Sequence, residues 1–152
     1  MMDAFPIQDP AYAERVQHSF ARQGIMATIG ASLVRVAPGT VEIALPITAG
    51  ISQQHGFAHA GAVATIADSA AGYAALTLMP PSAGVLTVEF KINLVAPASG
   101  ERLLASGRVL KTGRTLTVAQ AEVHAEAGER RRLVALLTAT LMPVEGREGI
   151  AD

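Results

Sequence analysis

One segment constrains the fold more than any other: His59–Met79, HAGAVATIADSAAGYAALTLM. Read at a helical period it is apolar on every side, and most of its residues are alanine, glycine, serine or threonine. A helix without a polar face has no side to turn to water, so it must lie inside the protein. The small residues Gly61, Ala64, Ala67, Ala71, Gly72 and Ala75 let a second layer come close to its backbone. Pro80-Pro81 cannot continue the helix and ends it. Asp68 breaks the pattern, in mid-helix with no basic residue within a turn. An unpaired carboxylate is costly to bury. It must face water, face a partner from elsewhere, or have a task that the fold tolerates it for.

The layer around this helix is made of strands. In VLTVEFKINLV, Leu86, Val88, Phe90, Ile92 and Leu94 alternate with Thr87, Glu89, Lys91 and Asn93, the clearest period-two signal in the chain. RLLASGRVL, TLTVAQAEVHAEA and RRLVALLTATLM follow, joined at Lys111-Thr112-Gly113-Arg114 and at Gly128. Before the helix, SLVRV and TVEIALPI flank Ala37-Pro38-Gly39 and form a hairpin. TAGISQQHGFA is a polar loop, and residues 10–24 read as a short helix opened by Pro10 and stopped by Gly24. The order is a short helix, two strands, the long helix and four strands. That predicts an α+β fold, with an antiparallel sheet of about six strands wrapped around one central helix. The whole of 1–152 reads as a single domain, with the 1–24 helix and a frayed 144–152 tail at its periphery.

Composition narrows the function classes. The chain is 50% hydrophobic and only 16% charged, with a mean hydropathy of +0.34. A chain that apolar is expected to cover part of its surface in an oligomer. A net charge of −1 gives no footprint for nucleic acid or an anionic membrane. With no cysteine there is no disulfide framework, thiolate nucleophile or thiolate metal site. The histidines and carboxylates show no metal-binding spacing, so neither a metal nor another cofactor is expected. The amino-terminal residues lack a basic-then-apolar leader, and His59 and Asp68 interrupt the one stretch long enough to span a bilayer. The expectation is a soluble cytoplasmic protein.

The motif HGFAHAGAVATIAD resembles the signature of the PaaI-like acyl-CoA thioesterases of the hotdog fold. That signature has a His-Gly-Gly at the start of the central helix and an acidic residue nine positions after the histidine, the spacing of His59 and Asp68. VEFKINLVAPASG and VLKTGRTLTVAQAEV resemble the family's following strands, so the likeness covers roughly residues 25–143. Two positions depart from the pattern. Ala60 replaces the first glycine, and Gln53, with Gln54 beside it, stands where the family often has an asparagine. The resemblance implies hydrolysis of an acyl-CoA to a free acid and CoA, in a homodimer or a dimer of dimers. It also implies roles for Asp68, His59, Ala60, Gly61, Gln53 and Thr87, the last aligned with a hydroxyl residue that holds the attacking water in some relatives. A non-catalytic acyl-CoA sensor and a hotdog dehydratase or hydratase are the alternatives.

The chemistry can also be read from the residues. Thioester hydrolysis needs an attacking group and a donor for the developing oxyanion. A helix start offers unpaired N–H groups, here around Ala60 and Gly61, and Asp68 suits either a general base or a direct nucleophile. His59 and Asp68 cannot meet within one chain, because nine helical residues place them about 13.5 Å apart along the axis and half a turn out of phase. If both serve one reaction, a second subunit must supply one of them. Thr87 falls on the opposite phase from Leu86 and Val88, so if those pack on the helix it points away from their side, unless it reaches a site across a subunit boundary or a bulge shifts the phase. Lys111, Gly113 and Arg114 form a cationic turn suited to the phosphates of CoA, or else an ordinary solvated hairpin.

Overall fold

A computed structural model describes residues 5–152; the reading of the first four residues lies outside that range. The apolar segment forms a helix over Ala60–Leu76, with Thr77 as its last cap, so it stops a turn before Pro80. In chain order it is the third helix, α3, after α1 (Tyr12–Arg22) and α2 (Gly24–Ile29). The strands are β1 (Ser32–Ala37), β2 (Thr40–Pro46), β3 (Gly84–Leu94), β4 (Arg102–Thr112), β5 (Thr117–Ala127) and β6 (Arg130–Val144). They form one antiparallel sheet in the order β1-β2-β4-β5-β6-β3, which wraps around α3 as the sequence predicts.

The inner face of the sheet is built for close approach. Ala105 of β4, Ala119 and Ala121 of β5, and Ala135 and Ala139 of β6 are buried, interleaved with Leu103, Val123, Leu137 and Leu141. They meet Ala67, Ala70, Ala71 and Ala74 of α3, all fully buried. The tightest point is Gly107 of β4. A Cβ there would stand 2.3 Å from the carbonyl carbon and oxygen of Ala70 and 2.6 Å from the amide nitrogen of Ala71. Only a residue without a side chain lets β4 cross α3 at this distance.

The far end of α3 is closed by a buried arginine. Arg15 of α1 donates to the carbonyls of Leu76 at 2.7 Å, Met79 at 3.1 Å and Pro80 at 2.6 Å, and pairs with Asp9 at 3.4 Å. Leu76 ends α3 and Met79 and Pro80 follow it, so the guanidinium ties the turn after the helix together and complements the helix's negative end.

Three expectations need correction. Gly24 does not stop the first helix: Gln23, at φ −74° and ψ 100°, breaks it, and Gly24 opens α2, which ends on the left-handed Gly30. Pro10 precedes the helix rather than entering it, and the Asp9 side chain accepts from the Ala11 amide at 2.9 Å. The 144–152 tail is not frayed, since Asp152 accepts hydrogen bonds from Ser19 and from the Val85 amide. Among the described residues no helix is long and apolar enough to cross a membrane.

Overpacking a rigid contact costs about 1–3 kcal/mol, and here the clash is with backbone. Gly107→Ala is therefore expected to lower the unfolding free energy by at least about 2 kcal/mol in urea titration. A loss below about 0.5 kcal/mol would mean that helix and sheet are not held at this distance.

Candidate active site

At the start of α3, His59 is the N-cap, with φ −63° and ψ 140°. Its Nδ1 accepts from the Gly61 amide at 2.8 Å. That bond fixes the neutral tautomer with the proton on Nε2. Gly61 permits it, because a Cβ at that position would stand 3.0 Å from the same Nδ1. Of the two amides expected to receive an oxyanion, Gly61's is thus tied to the cap. The amide of Ala60 meets no acceptor among the described residues. Ala60 also needs no glycine, since no non-glycine residue in the described chain has positive φ. Gln53 and Gln54 line the same cleft of about 580 Å³ with His59, Ala60, Leu94, Val95 and Val134. The Gln53 carboxamide oxygen accepts from the His55 amide within its own loop.

Asp68 lies elsewhere. Its Oδ1 accepts from the Thr87 hydroxyl at 2.8 Å, across from α3 to β3. The sequence phase of β3 would turn Thr87 away from a helix that Leu86 and Val88 face. A register shift between Thr87 and Glu89 resolves this. It makes Val88 a bulge and reverses the alternation, so Thr87 before it and Phe90 and Ile92 after it all face the helix side. Burial raises the pKa of Asp68, and the Thr87 hydrogen bond, which favours the ionised form, opposes part of that rise. No cation pairs with Asp68 among the described residues.

Asp68 and His59 line different cavities of one chain. Gly61 and Asp68, seven residues apart, do share a face of α3, and they line an open groove of about 430 Å³ with Ala64, Thr65, Ile25 and Phe90. A smaller compartment of about 280 Å³ runs from Asp68 and Thr87 to Ser19, Gln23, Tyr73 and Asp152. Sequence reasoning did not single out Tyr73 of α3, and it did not find Ser19, Gln23 or Asp152, because nothing in the pattern of residues 12–23 or the tail ties them to α3.

β3 is an edge strand and is open on both faces: Leu86, Val88, Phe90 and Leu94 are 42–53% exposed. The Lys111–Arg114 turn lies at the opposite end of α3 from His59. Gly113 and Arg114 line a groove with Leu78, Met79, Pro80 and Glu145. A helix of this length separates the two ends by roughly 25 Å. The structure therefore brings Asp68 and Thr87 together, and Gln53, His59, Ala60 and Gly61 together. It leaves Lys111, Gly113 and Arg114 apart from both groups within one chain.

A six-stranded antiparallel sheet wrapped around one buried helix is the hotdog fold, and the helix-start amides and desolvated carboxylate suit hydrolysis. The thioesterase superfamily model matches residues 55–131, and the chain belongs to that superfamily. A thioesterase family protein from Silicibacter pomeroyi is 52% identical, with a TM-score of 0.87 over 89% of this chain and 99% of that one. The 1,4-dihydroxy-2-naphthoyl-CoA hydrolase of Listeria monocytogenes is 25% identical over 68% of this chain and 84% of its own length. The PaaI protein of the E. coli phenylacetic acid degradation operon shares the fold at 17% identity, with a TM-score of 0.81 over 91% of this chain and 97% of that one. This chain is a hotdog thioesterase, a hydrolase.

Replacing Thr87 by Val removes the one donor to Asp68 among the described residues while keeping the side-chain shape. The carboxyl pKa is expected to rise further. For a carboxylate that must be ionised to act, the acidic limb of the pH–rate profile then moves to higher pH. A limb that stays in place would separate Thr87 from the working carboxylate.

Proposed function

We propose that the protein hydrolyses acyl-CoA thioesters to a free acid and CoA, at sites each assembled from two copies of the chain. The observation that carries this reading is Asp68: a half-buried carboxylate, oriented by Thr87, at the edge of a helix face left open in one chain. The exposed edge strand β3 borders the same face, and an apolar free edge is a ready surface for pairing with a second copy. A two-fold axis perpendicular to α3 would set the two α3 helices antiparallel, with Asp68 of each near the helix start of the other. A homodimer, or a dimer of dimers, completes the site. The printed name of the Listeria relative supports a CoA thioester as substrate, and a cysteine-free chain suits the cytoplasm.

In this arrangement the thioester oxygen points at the Ala60 amide, and His59 positions that amide by capping the helix through Gly61. Asp68 takes a proton from water, whose oxygen attacks the carbonyl carbon. The C–O π electrons move to the oxygen and are stabilised at Ala60 and the positive helix end. They return as the C–S bond breaks, and the leaving sulfur takes the proton. Direct attack by Asp68, giving an anhydride that water then opens, uses the same groups. Gln53 supplies an amide at the cleft wall. Lys111, Gly113 and Arg114 receive the CoA phosphates, on the subunit whose helix end lies toward the partner's site. A sensor on the same fold would bind acyl-CoA without releasing a thiol.

Loss of a general base costs roughly 10²–10⁴-fold, so Asp68→Asn is expected to lower thiol release from an acyl-CoA panel at least about a hundredfold. Stability should move the other way. Because the folded pKa of Asp68 lies above its ordinary value, stability falls as pH rises from the unfolded pKa through the folded one. Above that window the ionised group is a burden that Asn removes, and the mutant's Tm at neutral pH should equal or exceed the wild type's. Near-wild-type turnover would remove Asp68 from the mechanism.

A further inference from the structure

The segment after β6 folds back into a fitted seat beside the site. Asp152 accepts from the Ser19 hydroxyl of α1 through Oδ1, at 2.5 Å, and from the Val85 amide of β3 through Oδ2, at 2.8 Å. Arg22 donates to the Ala151 carbonyl at 2.9 Å. Ile150 occupies the space that a side chain at Gly84 would need: its Cγ2 is 2.8 Å from where that Cβ would be. The segment therefore joins α1 to the start of β3, two residues before Thr87.

Through Ser19, Val85 and Asp152 the seat lines the same half-open pocket of about 280 Å³ as Asp68 and Thr87. Its hydrogen bonds are ordered. Ser19 gives its proton to Asp152, so the 3.1 Å contact between Ser19 and Tyr73 has Tyr73 as donor. Tyr73 in turn accepts from Gln23 at 2.8 Å. The chain Gln23, Tyr73, Ser19, Asp152 thus ends on a carboxylate and uses both hydroxyl protons, which makes the wall a single connected unit.

This inference rests on the thioesterase reading, which puts the reacting carbonyl at Asp68. Whole-ligand clefts run to about 300–1,000 Å³, so a void of this size holds the acyl group only, and CoA must lead outward. We propose that residues 150–152, latched by Asp152, form the specificity-determining end wall of the acyl compartment and exclude acyl chains longer than it holds.

The test is kcat/KM across straight-chain acyl-CoAs from acetyl to lauroyl, on wild type, Asp152→Ala, which frees the latch, and Gly84→Val, which evicts Ile150. Trypsin cleavage at Arg147, in the same segment, reports release. Both variants should be cut faster at Arg147. Both should raise the ratio of long-chain to short-chain kcat/KM at least about tenfold, the scale one methylene commands in a tight pocket. Asp152→Asn, which keeps an acceptor for Val85, should stay near the wild-type profile. A chain-length profile that does not move while Arg147 opens to trypsin overturns the end wall, and unchanged cleavage in both variants overturns the latch. A wild type that hydrolyses no acyl-CoA overturns the thioester reading and this proposal together; an active wild type with an unmoved profile overturns this proposal alone.

Discussion

The contact of Gly107 with the backbone of Ala70 and Ala71 is the constraint on which the rest of the molecule depends. It fixes how deeply α3 sinks into the curved sheet. Once the helix is fully enclosed there, its two ends and its one carboxylate have set places. The start emerges at the 49–58 loop with the Ala60 amide open, and the end is stopped by Arg15. Asp68 comes to the rim against β3, the one strand at that side of the sheet. A larger residue at 107 would move all three together.

The same enclosure sets the chemistry. A carboxylate in open water has its ordinary pKa and is a weak base. Partial burial beside β3 raises the pKa of Asp68, and the single Thr87 bond keeps the ionised form accessible and oriented. A raised carboxyl pKa beside an open groove is the pattern that supports the proposed role of Asp68. The free amide at the helix start arises from an equally local rule: His59 takes the Gly61 amide as its cap, and the first amide, on Ala60, is left over, the group we propose as oxyanion donor.

Much of this was legible in the residues. An all-apolar helix of small side chains demanded a sheet around it, and clean alternation in the last third supplied the strands. The spacing of His59 and Asp68 pointed to their separation within one chain. What stayed hidden depends on contacts distant in sequence. The bulge at Val88 leaves no mark on a period-two pattern, yet it decides that Thr87 meets Asp68. The 144–152 tail read as frayed because the partners of Asp152, Ser19 and Val85, are brought to it only by the fold. Nothing in the sequence of the first helix marks Arg15, and only the position of α1 over the end of α3 gives it three carbonyls to hold.

The central claim is that Asp68 of one chain works on a substrate held at Ala60 of another. Ala60 is the first helical residue and follows an extended His59, so proline fits there and removes only the N–H. Ala60→Pro and Asp68→Asn should each be folded and nearly inactive alone. Co-expressed, they form mixed dimers in which one site keeps both groups and the other has neither. If subunits assort at random, recovered thiol release should approach about a quarter of the wild-type rate per chain. Activity no higher than that of the two single mutants would place Asp68 and Ala60 in the same protomer's site, or in none, and would contradict the account.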